Sequence, residues 1–183
     1  LSDLVIADGY GWHLAGGILN NGALNLNRCT VTNNVVDTDS FDPNTDFWKG
    51  GGGIYNGGGA TLNLVDSSVS GNSSTLMDGG GLYAFQGSTA NIVRSTISGN
   101  TAGNTGGALR VLGNATIVNS TISNNEALGW YGGAIFITDG VVEVLNSTIA
   151  GNISPSWAPE GIFVGTFGPA SATLMFTNSI IAN

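Results

Sequence analysis

Residues 51–56 read GGGIYN, and altered copies of this hexapeptide return along most of the chain. The copies are GGGLY at residues 79–83, GGALR at 106–110, GGAIF at 132–136, and the weaker GGIL at 16–19 and GIF at 161–163. The aliphatic residues of successive copies are separated by 36, 28, 27, 26 and 27 residues. A recurrent period of about 20 to 50 residues is typical of a repeat architecture in which each unit stacks on its neighbours.

A second motif follows each copy of the first and reads NSTISNN at residues 119–125. Its relatives are RCTVTNN at 28–34, DSSVSGN at 66–72, RSTISGN at 94–100, NSTIAGN at 146–152 and the shorter NSIIAN at 178–183. Between the two motifs apolar and polar residues alternate, as in Leu62-Asn63-Leu64. Because a period of two residues is that of a strand, each unit is predicted to be a coil of short strands joined by Gly and Asn turns.

These linked repeats predict an all-β fold, a single-stranded right-handed parallel β-helix (a solenoid) of about six coils. The abundance of Gly and β-branched residues disfavours helices, and parallel crossover connections are right-handed. We interpret residues 1–183 as a single domain, expected to be a fragment of a longer protein with both ends uncapped, since solenoids normally carry caps. Residues 35–49 are interpreted as a long inter-coil loop.

Stacking of equivalent residues assigns the core and one polar ladder. Three aliphatic ladders are expected inside the coils: Ile18, Ile54, Leu82, Leu109, Ile135 and Ile162; Val31, Val69, Ile97, Ile122, Ile149 and Ile181; and Leu26, Leu64, Ile92, Ile117, Val144 and Phe176. An asparagine ladder is expected at one turn, where each amide can bond to the next coil: Asn34, Asn72, Asn100, Asn125 and Asn152. Cys29 replaces a repeat Ser and is expected to pack inward.

The composition narrows the class of partner. Four Lys and Arg residues stand against twelve Asp and Glu residues, which gives a formal net charge of -8. This balance disfavours nucleic acid and anionic membranes as partners, because both require a basic face. No apolar run reaches transmembrane length, and the single cysteine excludes an internal disulfide.

The strings GGGIYN and LNLVDSSVSGN within residues 51–72, with NSTISNN and NSIIAN later in the chain, resemble the right-handed parallel β-helix repeat proteins of bacterial surfaces. That group includes polymorphic-outer-membrane-protein-like repeats and falls in the pectate-lyase-like superfamily. The resemblance covers nearly the whole chain and implies a secreted or cell-surface location. Its members include adhesin-like stalks and distant polysaccharide lyases, but no catalytic motif of the family maps onto numbered residues here.

The loop at residues 35–49 is the candidate metal site. It carries four carboxylates within ten residues: Asp37, Asp39, Asp42 and Asp46. Oxygen ligands of this kind can surround a hard cation, so calcium is the one cofactor that the sequence suggests. The alternative is a solvated acidic loop, and apart from calcium no cofactor is expected.

Two sets of aromatic residues are candidate ligand or partner surfaces. The first lies in loops that leave the asparagine ladder on one edge: Phe47, Trp48, Trp130, Tyr131 and Trp157. The second set, which we name the aromatic column, occupies outward positions after the first aliphatic ladder: Leu19, Tyr55, Tyr83, Arg110, Phe136 and Phe163. Exposed aromatics suit sugar stacking, a protein contact or self-association. The alternatives are a satellite core for the first set and cross-coil stacking or cover by a flanking segment for the second.

Two other rows of residues suggest weaker hypotheses. Arg28, Asp66 and Arg94 share one position in successive coils and offer residue types that β-elimination of a uronate uses, although a self-neutralising row explains them equally. Paired Thr and Ser residues, such as Thr121 and Ser123, resemble the faces of ice-binding solenoids. With His13 as the only histidine, a multi-histidine metal site is excluded.

The leading functional hypothesis is a non-catalytic structural or adhesive stem of a secreted or cell-surface bacterial protein that contacts glycan or protein or associates with itself. The alternatives are a polysaccharide-active, lyase-like enzyme or carbohydrate binder, a self-assembling extracellular fibre or sheath subunit, and an ice-binding solenoid.

Overall fold

A computed structural model describes residues 1–37, 49–155, 157–166 and 170–182. Within these residues the chain forms short strands and no helix, and therefore no helix that could cross a membrane. The strands are β1 (Val5–Ala7), β2 (Tyr10–Trp12), β3 (Ile18–Asn20), β4 (Ala23–Asn27), β5 (Thr30–Thr32), β6 (Val35–Asp37), β7 (Ile54–Asn56), β8 (Thr61–Val65), β9 (Ser68–Ser70), β10 (Ser73–Ser74), β11 (Leu82–Ala84), β12 (Thr89–Val93), β13 (Thr96–Ser98), β14 (Thr101–Ala102), β15 (Leu109–Val111), β16 (Asn114–Val118), β17 (Thr121–Ser123), β18 (Glu126–Ala127), β19 (Ile135–Ile137), β20 (Gly140–Leu145), β21 (Thr148–Ala150), β22 (Ile162–Val164), β23 (Ala172–Thr177) and β24 (Ile180–Ala182).

The strands stack into four sheets, and every pairing between them is parallel. Sheet I has the order β1-β5-β9-β13-β17-β21-β24, sheet II β2-β6-β10-β14-β18, sheet III β3-β7-β11-β15-β19-β22 and sheet IV β4-β8-β12-β16-β20-β23. Coils run through sheets III, IV, I and II in that order before a loop returns the chain to sheet III. Between β21 and β22 the described chain meets sheet II through a single bridge, from Ile153 to Glu126. The predicted all-β parallel solenoid of about six coils is confirmed.

The interior of the coils is lined by the three predicted aliphatic ladders. Ile54 pairs with Ile18 on one side and Leu82 on the other, and Ile122 lies in register between Ile97 and Ile149. The central members of each ladder are fully buried. Burial of each such side chain stabilises the fold by about 1.5–3 kcal/mol, so the stacked ladders dominate its stability.

The asparagine ladder closes the turn between sheets I and II. The backbone N–H and the Nδ2 of Asn72 both donate to Oδ1 of Asn100, at 3.0 and 2.9 Å. The same Nδ2 also donates to the carbonyl oxygen of Val31 at 3.0 Å. Asn34, Asn100 and Asn125 repeat the bonds to the next asparagine. Each turn amide is thereby satisfied by the neighbouring coil, as a buried backbone requires.

A serine ladder lies at the turn between sheets IV and I, and the sequence analysis did not identify it. The N–H of Cys29 donates to Oγ of Ser67 at 2.9 Å, and Ser67 donates in the same way to Ser95. Cys29 is buried at the end of this row, as its inward packing requires. The residue before each member has a positive φ, which explains the repeated Asn at 119, 146 and 178, since Asn tolerates this region better than most residues.

The long loop begins later than predicted. Val35–Asp37 form β6, because Val36 points inward in register with the buried Ser74 of sheet II. Residues 38–48, which contain Asp39, Asp42, Asp46, Phe47 and Trp48, lie outside the described residues.

Candidate functional site

The aromatic column lies on the outer face of sheet III, but most of it is not exposed. Its members are in register, with Tyr55 beside Tyr83 and Phe136 beside Phe163. Tyr55, Tyr83 and Phe136 are 6%, 0% and 3% exposed, so the prediction that they form an exposed surface is wrong. Phe163 at one end is half-buried.

Covering loops explain this burial. Ala15, from the loop before β3, is buried in one cluster with Tyr55 and Tyr83. Phe85 and Leu112, which directly follow β11 and β15, pack against this cluster. The rings of Tyr55 and Tyr83 stack with centroids 5.1 Å apart. Burial raises the pKa of Tyr55 to about 12 and also raises the pKa of Tyr83. Sheet III therefore separates two cores, the coil interior and a satellite core of aromatic residues.

The satellite core contains a buried ion pair that the sequence analysis missed. The guanidinium Nε of Arg110 lies 3.2 Å from Oδ2 of Asp78, and the two side chains are only 8% and 9% exposed. Oδ1 of Asp78 accepts bonds from the Nδ2 of Asn104 at 2.8 Å and from the hydroxyl of Thr105 at 2.7 Å. Nη1 of Arg110 donates to the hydroxyl of Thr138 at 2.7 Å.

This ion pair ties three coils together. Asp78 precedes sheet III in one coil, Asn104 and Thr105 belong to the following loop, and Thr138 lies one coil further along. The guanidinium also lies 4.4 Å from the ring centroid of Phe136, so it continues the aromatic column by a cation–π contact. One sequence signal could have revealed it, since Arg110 stands where other coils carry Tyr or Phe.

Three of the predicted loop aromatics come together at one edge, and we name Trp130, Tyr131 and Trp157 the tryptophan cluster. The rings of Trp130 and Trp157 meet at 90° with centroids 5.6 Å apart, and Tyr131 meets Trp157 at 79° and 5.7 Å. Tyr131 also stacks on Phe163 at 4.3 Å. The cluster is thus anchored on the end of the aromatic column, while Trp130 and Trp157 remain 55% and 60% exposed.

Two further apolar side chains extend this edge and were not predicted as site residues. Leu128 and Ile153 are 55% and 54% exposed. Their backbones belong to neighbouring coils, because Ala127 donates its N–H to the carbonyl oxygen of Ile153 at 2.9 Å. Large apolar side chains exposed together on a soluble protein mark a binding surface more often than isolated ones do.

The candidate calcium loop is described only at its first acid. Asp37 accepts a hydrogen bond from the hydroxyl of Tyr10 at 3.0 Å and another from the hydroxyl of Thr75. In the described part of the chain, no group of three or more His, Cys, Asp or Glu residues is placed to hold a metal ion. The calcium hypothesis therefore stays a prediction.

The row of alternating charges forms two exposed ion pairs. Nε of Arg28 lies 2.7 Å from Asp3, and Nε of Arg94 lies 2.7 Å from Asp66. In each pair a second guanidinium nitrogen reaches the other carboxylate oxygen. The hydrogen bonds between each arginine and its aspartate shift both partners. They lower the pKa of Asp3 and Asp66 and raise the pKa of Arg28 and Arg94.

The Thr and Ser pairs of sheet I lie in register on its outer face. Thr96 pairs with Ser68 and Thr121, and Ser98 pairs with Ser70 and Ser123. The row is mixed, since Ala150 and Ala182 take the place of Ser or Thr in later coils. The ice-binding hypothesis stays a prediction.

Comparison with known protein families matches the family described as "Right handed beta helix region" to residues 17–173. Comparison with curated proteins and with solved structures gives no match. The matched span begins at the glycine turn before β3 and ends inside β23, so it contains the satellite core and the tryptophan cluster.

Proposed function

Because the chain belongs to the right-handed β-helix region family, we propose that it is a non-catalytic structural or adhesive stem of a secreted or cell-surface bacterial protein. The observation that carries this proposal is the asparagine ladder from Asn34 to Asn152. Its side chains bond from each coil to the next without interruption. A backbone locked in this way resists bending, which suits a stem.

The state of the arginines also supports a non-catalytic role. A lyase acting on uronates needs a base that can accept a proton from the sugar ring. Arg28 and Arg94 each hold a carboxylate with two hydrogen bonds, and the pKa of each is raised by that contact. Arg110 is buried against Asp78. All three guanidinium groups are therefore poor bases and are engaged in structural pairs.

Incubation with polygalacturonate and with alginate tests the absence of catalysis. We expect no increase in the ultraviolet absorbance that unsaturated products of β-elimination cause. Product release by the wild-type protein that disappears in Arg94→Ala would overturn the proposal, since the exposed Arg94 can be changed without disturbing the core.

Protease treatment of intact cells of the source organism tests the proposed location. A cell-surface stem should be lost from intact cells at the same protease concentration that removes a known surface protein. Protection until the cells are lysed would contradict a surface location.

A further inference from the structure

The tryptophan cluster has the geometry of a preformed aromatic platform. Tyr131 packs between the half-buried Phe163 and Trp157, with ring centroids 4.3 and 5.7 Å away, so it holds the indole of Trp157 in place. Phe163 in turn stacks on the buried Phe136 at 5.0 Å. The exposed indoles therefore rest on a stack rooted in the satellite core. A rigid platform loses little conformational entropy when a ligand binds.

The shape of the platform favours a ring-shaped ligand with an apolar face. Trp130 and Trp157 meet edge to face at 90°, so their planes form a right-angled corner. One ring of a pyranose can lie against one indole through its C–H face while the next sugar meets the second indole. Indoles are also the side chains that attract cations most strongly through their π faces.

The negative charge of residues near the platform in sequence favours sugars that carry a positive charge. Glu160 follows Trp157 by three residues, is exposed and takes part in no salt bridge among the described residues. Glu126 precedes Trp130 by four residues and is half-buried on the outer face of sheet II. The three arginines of the chain are already paired with aspartates, and the net charge is -8. A uronate or sulfated sugar would be repelled by this field, whereas an amine would be attracted.

We propose that the tryptophan cluster binds a pyranose chain that carries free amines, such as a glucosamine oligosaccharide. The sugar rings stack on Trp130 and Trp157, and the ammonium groups are held by the indole faces and by Glu160. This inference rests on the proposed adhesive role and names its ligand class. The cluster lies in loops between sheets II and III, away in sequence from the exposed Arg28 and Arg94.

Calorimetric titration with a fully deacetylated glucosamine tetramer tests the proposal, with tryptophan fluorescence as a second readout. We expect binding by the wild-type chain and affinity at least about tenfold weaker in the double variant Trp130→Ala/Trp157→Ala, since two stacking contacts are lost. The matched control is Trp12→Ala, because Trp12 is 47% exposed at the other end of sheet II. It should bind as the wild type does.

A second pair of variants tests the role of charge. Glu160→Gln should weaken binding of the tetramer, and Glu143→Gln on sheet IV should not, although each removes one negative charge. Equal affinity for the N-acetylated tetramer would overturn the proposal, and so would tight binding of a galacturonate tetramer. Equal binding by the wild type and the double tryptophan variant would mean that a polycation is attracted without the platform, and would overturn it too. None of these results would bear on β-elimination, so the stem proposal is tested separately.

Discussion

The two cores on either side of sheet III follow different rules. Inside the coils, aliphatic residues repeat with the period of the chain, and Ile97, Ile122 and Ile149 have nearly identical surroundings. Outside, Tyr83 and Arg110 occupy equivalent positions, yet Tyr83 stacks on Tyr55 whereas Arg110 pairs with the buried Asp78. The inner core is therefore defined by register alone, whereas the satellite core also depends on loops that differ from coil to coil. Repetition therefore specifies burial only where the repeating strands themselves enclose the space.

A charge placed in the inner core should unfold the whole chain. Ile122→Asp places a carboxylate among fully buried aliphatic side chains with no partner, and an uncompensated buried charge costs more than the few kcal/mol by which most domains are stable. We expect loss of the folded state, measured as aggregation or a missing thermal transition. The control is Thr121→Asp on the outer face of the same strand, which should stay folded. A soluble Ile122→Asp protein of unchanged melting temperature would contradict the ladder.

Removing the cation of the satellite core should have a smaller and more local effect. Arg110→Met leaves the buried Asp78 without its charge partner, at a cost of about 3–5 kcal/mol. Hydrogen exchange should accelerate at Asn104 and Thr105, which are bonded to that carboxylate, but not in β13 and β17 of the inner core.

The double variant Asp78→Asn/Arg110→Met separates the ion pair from the packing. It should recover part of the lost stability, because no buried charge remains. Uniform acceleration of exchange throughout the chain in Arg110→Met would show that the two cores unfold together, and would contradict their separation.

The asparagine ladder allows a comparison with a half-buried row of the same residue on sheet IV. Asn100→Ala removes the acceptor of the buried N–H and side-chain amide of Asn72, and an orphaned buried donor costs about 1–3 kcal/mol. Asn91→Ala on sheet IV removes a 2.8 Å bond to Asn63 that water can replace. Thermal melting should show a lower midpoint for Asn100→Ala than for Asn91→Ala. Equal midpoints would mean that the buried ladder contributes no more than the half-buried row.

At neutral pH the tyrosines of the satellite core should have no effect of this kind, but at alkaline pH their burial should lower the stability of the chain. Because burial raises the pKa of Tyr55 from 10.0 to about 12, the folded chain retains a proton that the unfolded chain releases. Stability should be complete below the unfolded value and fall as the pH rises towards 12. Tyr55→Phe and Tyr83→Phe together should flatten this decline in denaturant titrations. A decline of unchanged slope in the double variant would contradict the assignment.

The repeating inner core could be predicted from the sequence, whereas the non-repeating satellite core could not. The ladders of Ile54, Ile122 and Leu64 were identified correctly because each recurs at a fixed period and pairs with its equivalents. The register of Tyr55 and Phe136 was also correct, but their exposure was not. The neighbours that bury them differ from coil to coil, since Tyr55 packs with Ala15 and Phe85 whereas Phe136 stacks on Tyr131, so no periodic signal predicted the burial.

Only the members of the tryptophan cluster, and not their geometry, could be predicted from the sequence. The sequence placed Trp130, Tyr131 and Trp157 on one edge, since each lies in a loop that leaves the asparagine ladder. Their mutual geometry depends on loops of unequal length and could not be read from spacing. Arg110 stands in a repeat motif, but its partner Asp78 lies 32 residues away in a segment outside both motifs, so only the fold brings the two together.

The bonding of the asparagine ladder allows the solenoid to gain or lose whole coils. Each amide reaches only the adjacent coil, over 25 to 28 residues of chain where no long loop intervenes. Excision of residues 126–152 would join Asn125 to Ile153, the backbone equivalent of Glu126, and would bring Phe163 over Arg110 in place of Phe136. Duplication of the same segment would add one rung of about 4.8 Å. A gene for such a chain can therefore change the reach of its product by whole coils, through in-frame deletion or duplication, without redesigning the inner core.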